Sequence, residues 1–297
     1  MNASLKYPCL RKDAETPSDW LDRSRGAKWG IYDQEHALFT WTREGGPAGA
    51  ERTLEAILVD WADDVSYATH DIEDYSTTGL VPLHQLGNNP KFLTYAAGKL
   101  QKKYGDGFDT AKLSDAVERL KDQPLKGEFR GSRIDRQKIQ DFISDRIGLY
   151  SQVWDESSGT GALEILPGPP YVRINADLQY EVEALKQLTW YYVIDNPPLA
   201  VTQVGQEKII EELYRILSNL LAASRGSPRI PIQLVENYEH NKKDEARRSG
   251  PGGVSENVVI ARSVCDFVAS MTEDQAVDLH SRFTGKSETN SMFGTWF

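Results

Sequence analysis

The chain has 297 residues, of which 39% are hydrophobic and 10% aromatic, enough to bury the core of one large domain or two smaller ones. Its formal net charge of −10 argues against a general nucleic-acid-binding protein, and no apolar run reaches the roughly 18–20 residues of a membrane span. The first residues do not have the basic and apolar pattern of a signal sequence. The two cysteines, Cys9 and Cys265, are too few and too far apart for a disulfide framework, so the sequence predicts a cytoplasmic protein.

The first 48 residues are rich in aromatic side chains, namely Trp20, Trp29, Tyr32, Phe39 and Trp41. Two short motifs combine a lysine with an aromatic residue: Lys6-Tyr7-Pro8 and Lys28-Trp29-Gly30, the second followed by Glu35. Neither motif by itself predicts a helix or a strand.

The stretch from Leu54 to Leu83 has the spacing of a long helix with two different faces. At about 100° per residue, one face is apolar and predicts contact with a core; it contains Leu54, Ile57, Leu58, Trp61, Val65, Ala68 and Ile72. A neighbouring stripe is acidic and contains Asp60, Asp63, Asp64, Tyr67, Asp71 and Asp74. Gly79 and Pro82 end the helix. Because no Lys or Arg lies between Thr53 and Leu83, the stripe is either a solvated acidic face or a site for a counter-charge, a metal ion or a hydrogen-bonding ligand.

Helices and one hairpin are predicted for the middle of the chain. Asn89 and Pro90 start a helix that Gly105 ends, and Asp109 or Thr110 starts the next. Residues 133–154 have a helical apolar face formed by Ile139, Phe142, Ile143, Ile147 and Tyr150. Residues 162–166 and 171–174 alternate as strands do on either side of a Pro-Gly-Pro-Pro turn, which predicts a short hairpin.

Helices fill most of the remaining chain. Asn175 or Asp177 caps a helix that runs to about Ile194, where an Asn196-Pro197-Pro198 sequence stops it. Further helices are predicted over residues 202–222, 231–248, 257–270 and 272–283, followed by a tail over residues 286–297. The predicted fold class is therefore mainly α, with one short β-hairpin.

Other kinds of active site find little support in the residue spacing. No pair of the five histidines has the HxxxH or HExxH spacing of a metal site, and no Gly-rich segment has the context of a phosphate loop. Ser66 and Ser151 have no neighbouring His and Asp to activate them. A basic stretch either pairs with the surplus acid or binds triphosphate oxygens; it consists of Arg130, Arg133, Arg136 and Arg146.

The acidic helix has a characteristic order of residues: Asp63-Asp64, Tyr67 and His70-Asp71, followed by Gly79-Leu80. This order resembles the signature helix of the dGTP triphosphohydrolases, a branch of the HD-domain phosphohydrolases. Weaker likenesses to the same family lie in Lys6-Tyr7-Pro8 and in residues 28–35, 185–189, 205–213 and 264–272. The resemblance implies that Asp63 ligates the active-site metal and that Tyr67 and Asp71 hold the deoxyribose and its 3′-hydroxyl. The His70-Asp71 dipeptide does not correspond to the family's metal-binding His-Asp pair.

The resemblance also implies an activity and a division into domains. The family hydrolyses a deoxynucleoside triphosphate, typically dGTP, to deoxynucleoside and triphosphate with a divalent metal ion, which we expect to be Mg²⁺ or Mn²⁺. Residues 1–155 correspond to the second half of an HD-type domain, residues 156–285 to its associated helical region and residues 286–297 to a tail. The family's metal-binding histidines and its catalytic histidine precede the matching segment and have no counterpart in the chain, so no catalytic residue is identified.

Three interpretations stay open on the sequence. In the first, the chain is part of a dNTP triphosphohydrolase and is inactive alone. In the second, it is a non-catalytic relative that oligomerises with a complete homologue and regulates it. In the third, it is a helical module that binds nucleotides or protein. The expected partners are a deoxynucleoside triphosphate and a second polypeptide, either another copy of the chain or a complete homologue. Neither a membrane nor nucleic acid is expected as a partner.

Overall fold

The computed structural model describes residues 5–11, 13, 29–121, 127–224, 226–227, 230–249 and 255–286. Within these ranges the chain forms ten α-helices and one two-stranded sheet, which confirms the mainly α fold class. The helices are α1 (His36–Arg43), α2 (Leu54–Thr77), α3 (Pro90–Tyr104), α4 (Thr110–Lys121), α5 (Arg133–Ser151), α6 (Ala176–Thr189), α7 (Pro197–Ser224), α8 (Ile232–Ser249), α9 (Glu256–Ala269) and α10 (Glu273–Phe283). Trp20, Lys28 and residues 287–297 of the predicted tail lie outside the described residues.

Helix α2 is the predicted acidic helix. It begins where the side chain of Thr53 accepts a hydrogen bond from the backbone N–H of Ala56, and Gly79 adopts a positive φ of 79° just beyond its end. The predicted apolar face is buried along most of its length, at Trp61, Val65, Ala68 and Ile72, whereas Leu54, Ile57 and Leu58 are partly buried. The apolar side of α2 therefore faces the core of the protein, as predicted.

Side chains cap the starts of α3, where the sequence predicted a cap, and of α5, where it was not predicted. The side chain of Asn89 accepts a hydrogen bond from the N–H of Phe92, and Pro90 stands in the first turn, where an N–H is not needed. At α5, Ser132 and Asp135 form a reciprocal capping box. Both helices therefore begin where local side-chain chemistry satisfies their first backbone N–H groups.

A short antiparallel hairpin follows α5, as predicted. Strands β1 (Leu163–Ile165) and β2 (Val172–Ile174) pair with Leu163 opposite Ile174. Helix α5 ends at Ser151, before its predicted limit at Trp154. The reason is that the N–H of Trp154 donates to the carbonyl of Leu163 and so joins the hairpin instead of continuing the helix.

Two further features of the helices differ from the prediction. Helix α7 begins at Pro197 and not near residue 202, because a proline pair that ends one helix also fits the first turn of the next. Helix α1 was not predicted. The end of the preceding helical run agrees with the prediction. Helix α6 continues into a π-helical segment, Trp190–Ile194, which ends at the predicted residue.

The chain divides into two compact units, residues 1–196 and residues 197–297. In the first unit α2 packs on α5 and α6, and α4 packs on α6. In the second, α9 packs on α7 and α8, with a core that includes Leu217, Leu221, Tyr238, Val264 and Phe267. The predicted boundary after residue 155 separates the part that corresponds to an HD-type domain from the associated helical region. This division stays a prediction. Across the described residues, no helix combines the length and apolar character that a membrane span requires.

Candidate functional site

The first part of the acidic stripe on α2 is neutralised by cations from outside the helix. The Nζ of Lys6 lies 2.8 Å from Oδ1 of Asp60 and 2.6 Å from Oδ2 of Asp63. Arg52 pairs with the other oxygen of Asp60 over 2.6 Å. At these positions the stripe therefore takes a counter-charge, one of the alternatives that the sequence left open.

The three predicted site residues lie on successive turns of α2 and differ in environment. Asp63 is in the ion pair with Lys6, and its side chain is 45% exposed. Tyr67 is 61% exposed and Asp71 is half-buried, and neither side chain makes a hydrogen bond or an ion pair within the described residues. Spacings of four and eight residues place all three on one face of the helix. Their joint role in one pocket stays a prediction.

Asp71 stands in surroundings that disfavour its negative charge. Partial burial raises the pKa of the Asp71 carboxyl, and the nearby carboxylate of Asp74 raises it further, while His70 acts in the opposite direction. A carboxylate in this position is stabilised by any group that donates a hydrogen bond to it. A hydroxyl of a bound molecule is such a donor.

The described residues do not form a metal centre by themselves. They contain no group of three or more His, Cys, Asp or Glu side chains placed to hold one ion. The ammonium group of Lys6 also contacts one of the two oxygens that Asp63 would offer. Mg²⁺ and Mn²⁺ need several oxygen ligands. The divalent ion implied by the resemblance therefore does not fit these residues alone, and the role of Asp63 as a metal ligand stays a prediction.

Beside the acidic stripe, helix α6 carries a buried carboxylate. Glu183 is 4% exposed, and its Oε1 accepts hydrogen bonds from Tyr104 over 2.9 Å and from Lys103 over 3.0 Å. Lys186, one turn further along α6, lies 3.5 Å from the same oxygen and 2.8 Å from Oδ1 of Asp64 on α2. Burial alone would raise the pKa of Glu183, but Lys186 and Lys103 hold it below its usual range. The acidic stripe is thus connected through α6 to the end of α3.

A second buried carboxylate, Glu181, pairs with one arginine of the basic stretch, Arg146. Glu181 is 1% exposed and accepts hydrogen bonds from Arg119 over 2.5 Å, from Arg146 over 3.2 Å and from Tyr150 over 3.0 Å. Arg146 therefore pairs with internal acid, as one of the two interpretations predicted. The other arginines of the basic stretch are exposed and have no ion pair with any described residue; they are Arg130, Arg133 and Arg136.

The sequence analysis missed the buried carboxylates of α6 and the lysines that face α2. One signal was available for Glu181 and Glu183: they alternate with buried apolar residues, namely Val182, Ala184, Leu185 and Leu188. A helix that is apolar on all sides is buried, and a glutamate within it requires partners. No comparable signal marks Lys6, which reaches α2 from 57 residues away in sequence.

One surface depression of about 400 Å³ opens at the start of α3 and is lined by Pro90, Lys91, Thr94 and Tyr95. None of these four residues belongs to α2. The depression therefore does not contain the predicted site residues.

The described residues define the chain as a mainly α protein whose helix α2 has an acidic stripe. Two curated proteins similar to the chain carry the same name. A deoxyguanosinetriphosphate triphosphohydrolase-like protein of Bifidobacterium longum is 27% identical over 287 residues, which cover 95% of this chain and 56% of the relative. A protein of the same name from Streptomyces coelicolor is 27% identical over 283 residues, which cover 92% of this chain and 62% of the relative.

The chain is thus related to the deoxyguanosinetriphosphate triphosphohydrolase-like proteins, which confirms the resemblance carried by its acidic helix. It spans about 56–62% of the length of these two relatives. No family model matches the chain.

Proposed function

We propose that this chain is the deoxyribose-binding part of a deoxynucleoside triphosphate triphosphohydrolase, with dGTP as the representative substrate. The observation that carries this proposal is the arrangement on α2 of an exposed ring, Tyr67, one turn before Asp71, a half-buried carboxylate without a partner among the described residues. The shared name of the relatives, which align with 92–95% of this chain, supports the choice of nucleotide.

In the proposed reaction, water adds to the α-phosphorus and the bond from this phosphorus to the 5′-oxygen breaks. The 5′-oxygen takes a proton and leaves as the deoxynucleoside, while the three phosphates leave as triphosphate. Asp71 accepts a hydrogen bond from the 3′-hydroxyl, and the ring of Tyr67 packs against the sugar. These contacts orient the deoxyribose and thereby the α-phosphate. We assign to Asp63 the role of one ligand of Mg²⁺ or Mn²⁺, whose other ligands lie outside the described residues.

A second polypeptide, either another copy of the chain or a longer relative, is part of the proposed assembly. Apolar side chains in and before α1 are exposed, Tyr32 by 56%, Leu38 by 52% and Trp41 by 54%, and α1 contains no buried residue. We take these exposed side chains as the contact surface for the second polypeptide. Sedimentation velocity of the chain, alone and mixed with the Bifidobacterium longum relative, tests this assembly. A monomer under both conditions contradicts it.

Binding of dGTP and of 2′,3′-dideoxy-GTP to the purified chain tests the assignment of Asp71. We expect dGTP to bind about tenfold or more tightly, because a hydrogen bond to a charged group contributes roughly 1.5–3 kcal/mol. Asp71→Asn should remove most of this preference, and Asp74→Asn, which changes the charge of the same helix, should retain it. Equal affinity of the unaltered chain for the two nucleotides contradicts the proposed role.

A further inference from the structure

The surface depression at the start of α3 has the size of a small-molecule site. Pro90, Lys91, Thr94 and Tyr95 line a volume of about 400 Å³, and sites for small molecules typically have volumes of roughly 300–1,000 Å³. Lys91 and Tyr95 are four residues apart on α3, so their side chains are neighbours on one face of the helix. The depression therefore presents an ammonium group beside an aromatic ring.

Contacts with the end of the α6 helical run hold the ring of Tyr95 in place. Its hydroxyl donates a hydrogen bond to the carboxylate of Asp195, and its ring meets the edge of the Tyr191 ring with 5.1 Å between ring centres. Lys99 lies 2.8 Å from the same carboxylate oxygen and 3.8 Å from the centre of the Trp190 ring. Burial and the Asp195 carboxylate raise the pKa of Tyr95, so its hydroxyl stays a donor at neutral pH. A ring that is fixed beforehand loses little conformational entropy when a ligand packs on it.

Lys91 differs from Lys99 in having no counter-charge. Its side chain is exposed and makes neither an ion pair nor a hydrogen bond with a described residue, whereas Lys99 is in an ion pair. The backbone of this turn offers an anion fewer donors than most helix starts do, because Pro90 has no N–H and the N–H of Phe92 already bonds to Asn89. Among the residues that line the depression, Lys91 therefore supplies the positive charge.

We propose that the depression at the start of α3 binds a small planar aromatic anion, whose ring packs on Tyr95 and whose negative group pairs with Lys91. Two aromatic rings attract each other beyond the effect of the area that they bury. The ammonium group adds a preference for a carboxylate or a phosphate on that ring. This site uses none of Asp63, Tyr67 and Asp71 and does not rest on the proposed function.

Equilibrium dialysis of the full chain against 2-naphthoate, read by naphthalene fluorescence, tests the proposal. Two competitors separate the two contacts: 2-naphthalenemethanol keeps the ring without the charge, and cyclohexanecarboxylate keeps the charge without the aromatic ring. We expect 2-naphthoate to bind about threefold or more tightly than either, because both contacts contribute. Dialysis against 2-naphthyl phosphate compares a phosphate with the carboxylate. Binding of neither anion overturns the proposal.

Variants locate the bound molecule. We expect Tyr95→Leu to weaken 2-naphthoate binding about fivefold or more, because the packed ring is lost. Lys91→Met should weaken it about threefold at low salt and remove the preference over 2-naphthalenemethanol. Lys102→Met is the matched control and should change nothing, because Lys102 is an exposed lysine of α3 that does not line the depression. Equal affinity of the unaltered chain and Tyr95→Leu overturns the proposal, since the molecule then lies elsewhere.

A second measurement needs no variant and covers the case in which Tyr95→Leu does not fold. Acetylation of Lys91 by a lysine-selective reagent, read by mass spectrometry, should fall several-fold when 2-naphthoate saturates the chain. Acetylation of Lys102 should stay constant in the same sample. Acetylation of Lys91 that does not respond to 2-naphthoate contradicts the proposed site.

The proposed function and this site can fail separately. The nucleotides dGTP and 2′,3′-dideoxy-GTP carry the same base and the same phosphates, so the depression gives no preference between them, and a preference reports on Asp71. If that preference is present and 2-naphthoate does not bind, only the site at α3 is overturned. If the preference is absent and 2-naphthoate binds as expected, only the proposed function is overturned.

Discussion

The ammonium group of Lys186 donates a hydrogen bond to Oδ1 of Asp64 over 2.8 Å and so joins the buried helix α6 to the acidic stripe of α2. The same group lies 3.5 Å from Oε1 of Glu183. Lys186 is therefore shared between one half-exposed and one buried carboxylate. Because breaking a buried pair leaves an uncompensated charge, this lysine contributes to stability more than an exposed lysine does.

We expect Lys186→Met to lower the free energy of unfolding by about 2–3 kcal/mol. This is less than the roughly 3–5 kcal/mol of a buried charge left without any partner, because Glu183 keeps its hydrogen bonds to Lys103 and Tyr104. Urea unfolding of the first unit at neutral pH, followed by tryptophan fluorescence, measures the change.

The exposed pair of Lys112 and Asp177 provides the matched control for this measurement. Its side chains are 43% and 61% exposed and its charged atoms are 3.8 Å apart. We expect Lys112→Met to change the free energy of unfolding by less than about 1 kcal/mol. Equal losses in Lys186→Met and Lys112→Met would show that Glu183 does not depend on Lys186.

The buried carboxylate of Glu183 predicts a loss of stability in acid. Its pKa is lower in the folded protein than its ordinary value of 4.5, so its contribution is present above about pH 4.5 and is lost as the pH falls through its folded pKa. Glu183→Gln cannot titrate, and we expect it to be less stable than the unaltered chain at pH 7 but to lose less stability below pH 4.5. Urea unfolding at pH 7, 5.5, 4 and 3 makes the comparison. Parallel losses in the two proteins would exclude Glu183 as the titrating group.

For Asp71 we expect the opposite dependence of stability on pH. Burial and Asp74 raise its pKa in the folded protein above the ordinary 3.8, so the stabilisation that this carboxyl gives in acid is lost as the pH rises through its folded pKa. We therefore expect Asp71→Asn to be more stable than the unaltered chain at pH 7, by about 0.2–0.5 kcal/mol for a like-charge pair on a helix. This gain should shrink as the pH falls through the folded pKa of Asp71 and be absent below pH 3.8.

Asp74→Asn separates the repulsion between Asp71 and Asp74 from the binding of dGTP by Asp71. It relieves the same like-charge pair, so we expect a similar gain in stability at pH 7, but it leaves the carboxylate of Asp71 in place for the 3′-hydroxyl of dGTP. Only Asp71→Asn should combine higher stability with weaker dGTP binding. Loss of stability in Asp71→Asn at pH 7 would mean that its carboxylate has a stabilising partner in the folded chain.

Local sequence signals predicted most of the helices correctly because their causes lie within a few residues. The predicted cap at Asn89 satisfies a backbone group one turn away. The box at Ser132 and Asp135 acts over the same short distance, although the sequence analysis used only the apolar face of that helix. The start of α7 was placed too late because Pro197 is compatible with two opposite roles, a stop for one helix and the first turn of another.

The neighbours of the candidate site could not be predicted in the same way. Asp63, Tyr67 and Asp71 share one helix, so their spacing alone places them on one face. The counter-ions of the acidic stripe come from distant segments: Lys6 is 57 residues from Asp63, and Lys186 is 122 residues from Asp64. Periodicity carries no information about contacts at such separations, and these contacts decide the charge of the site.

We expect the purified chain to hydrolyse dGTP at a rate far below that of a complete enzyme. A general acid or base contributes about 10²–10⁴-fold to a rate, and a bound metal ion contributes further. The described residues contain no group of three or more His, Cys, Asp or Glu side chains that could hold a metal ion.

The test is to incubate the chain with dGTP and Mg²⁺ or Mn²⁺ and to measure deoxyguanosine and triphosphate. The assay is then repeated with the part of the Bifidobacterium longum relative that this chain does not match, which we expect to restore turnover. Clear turnover by the chain alone, abolished in Asp63→Ala, would show that Asp63 already acts with ligands supplied by this chain.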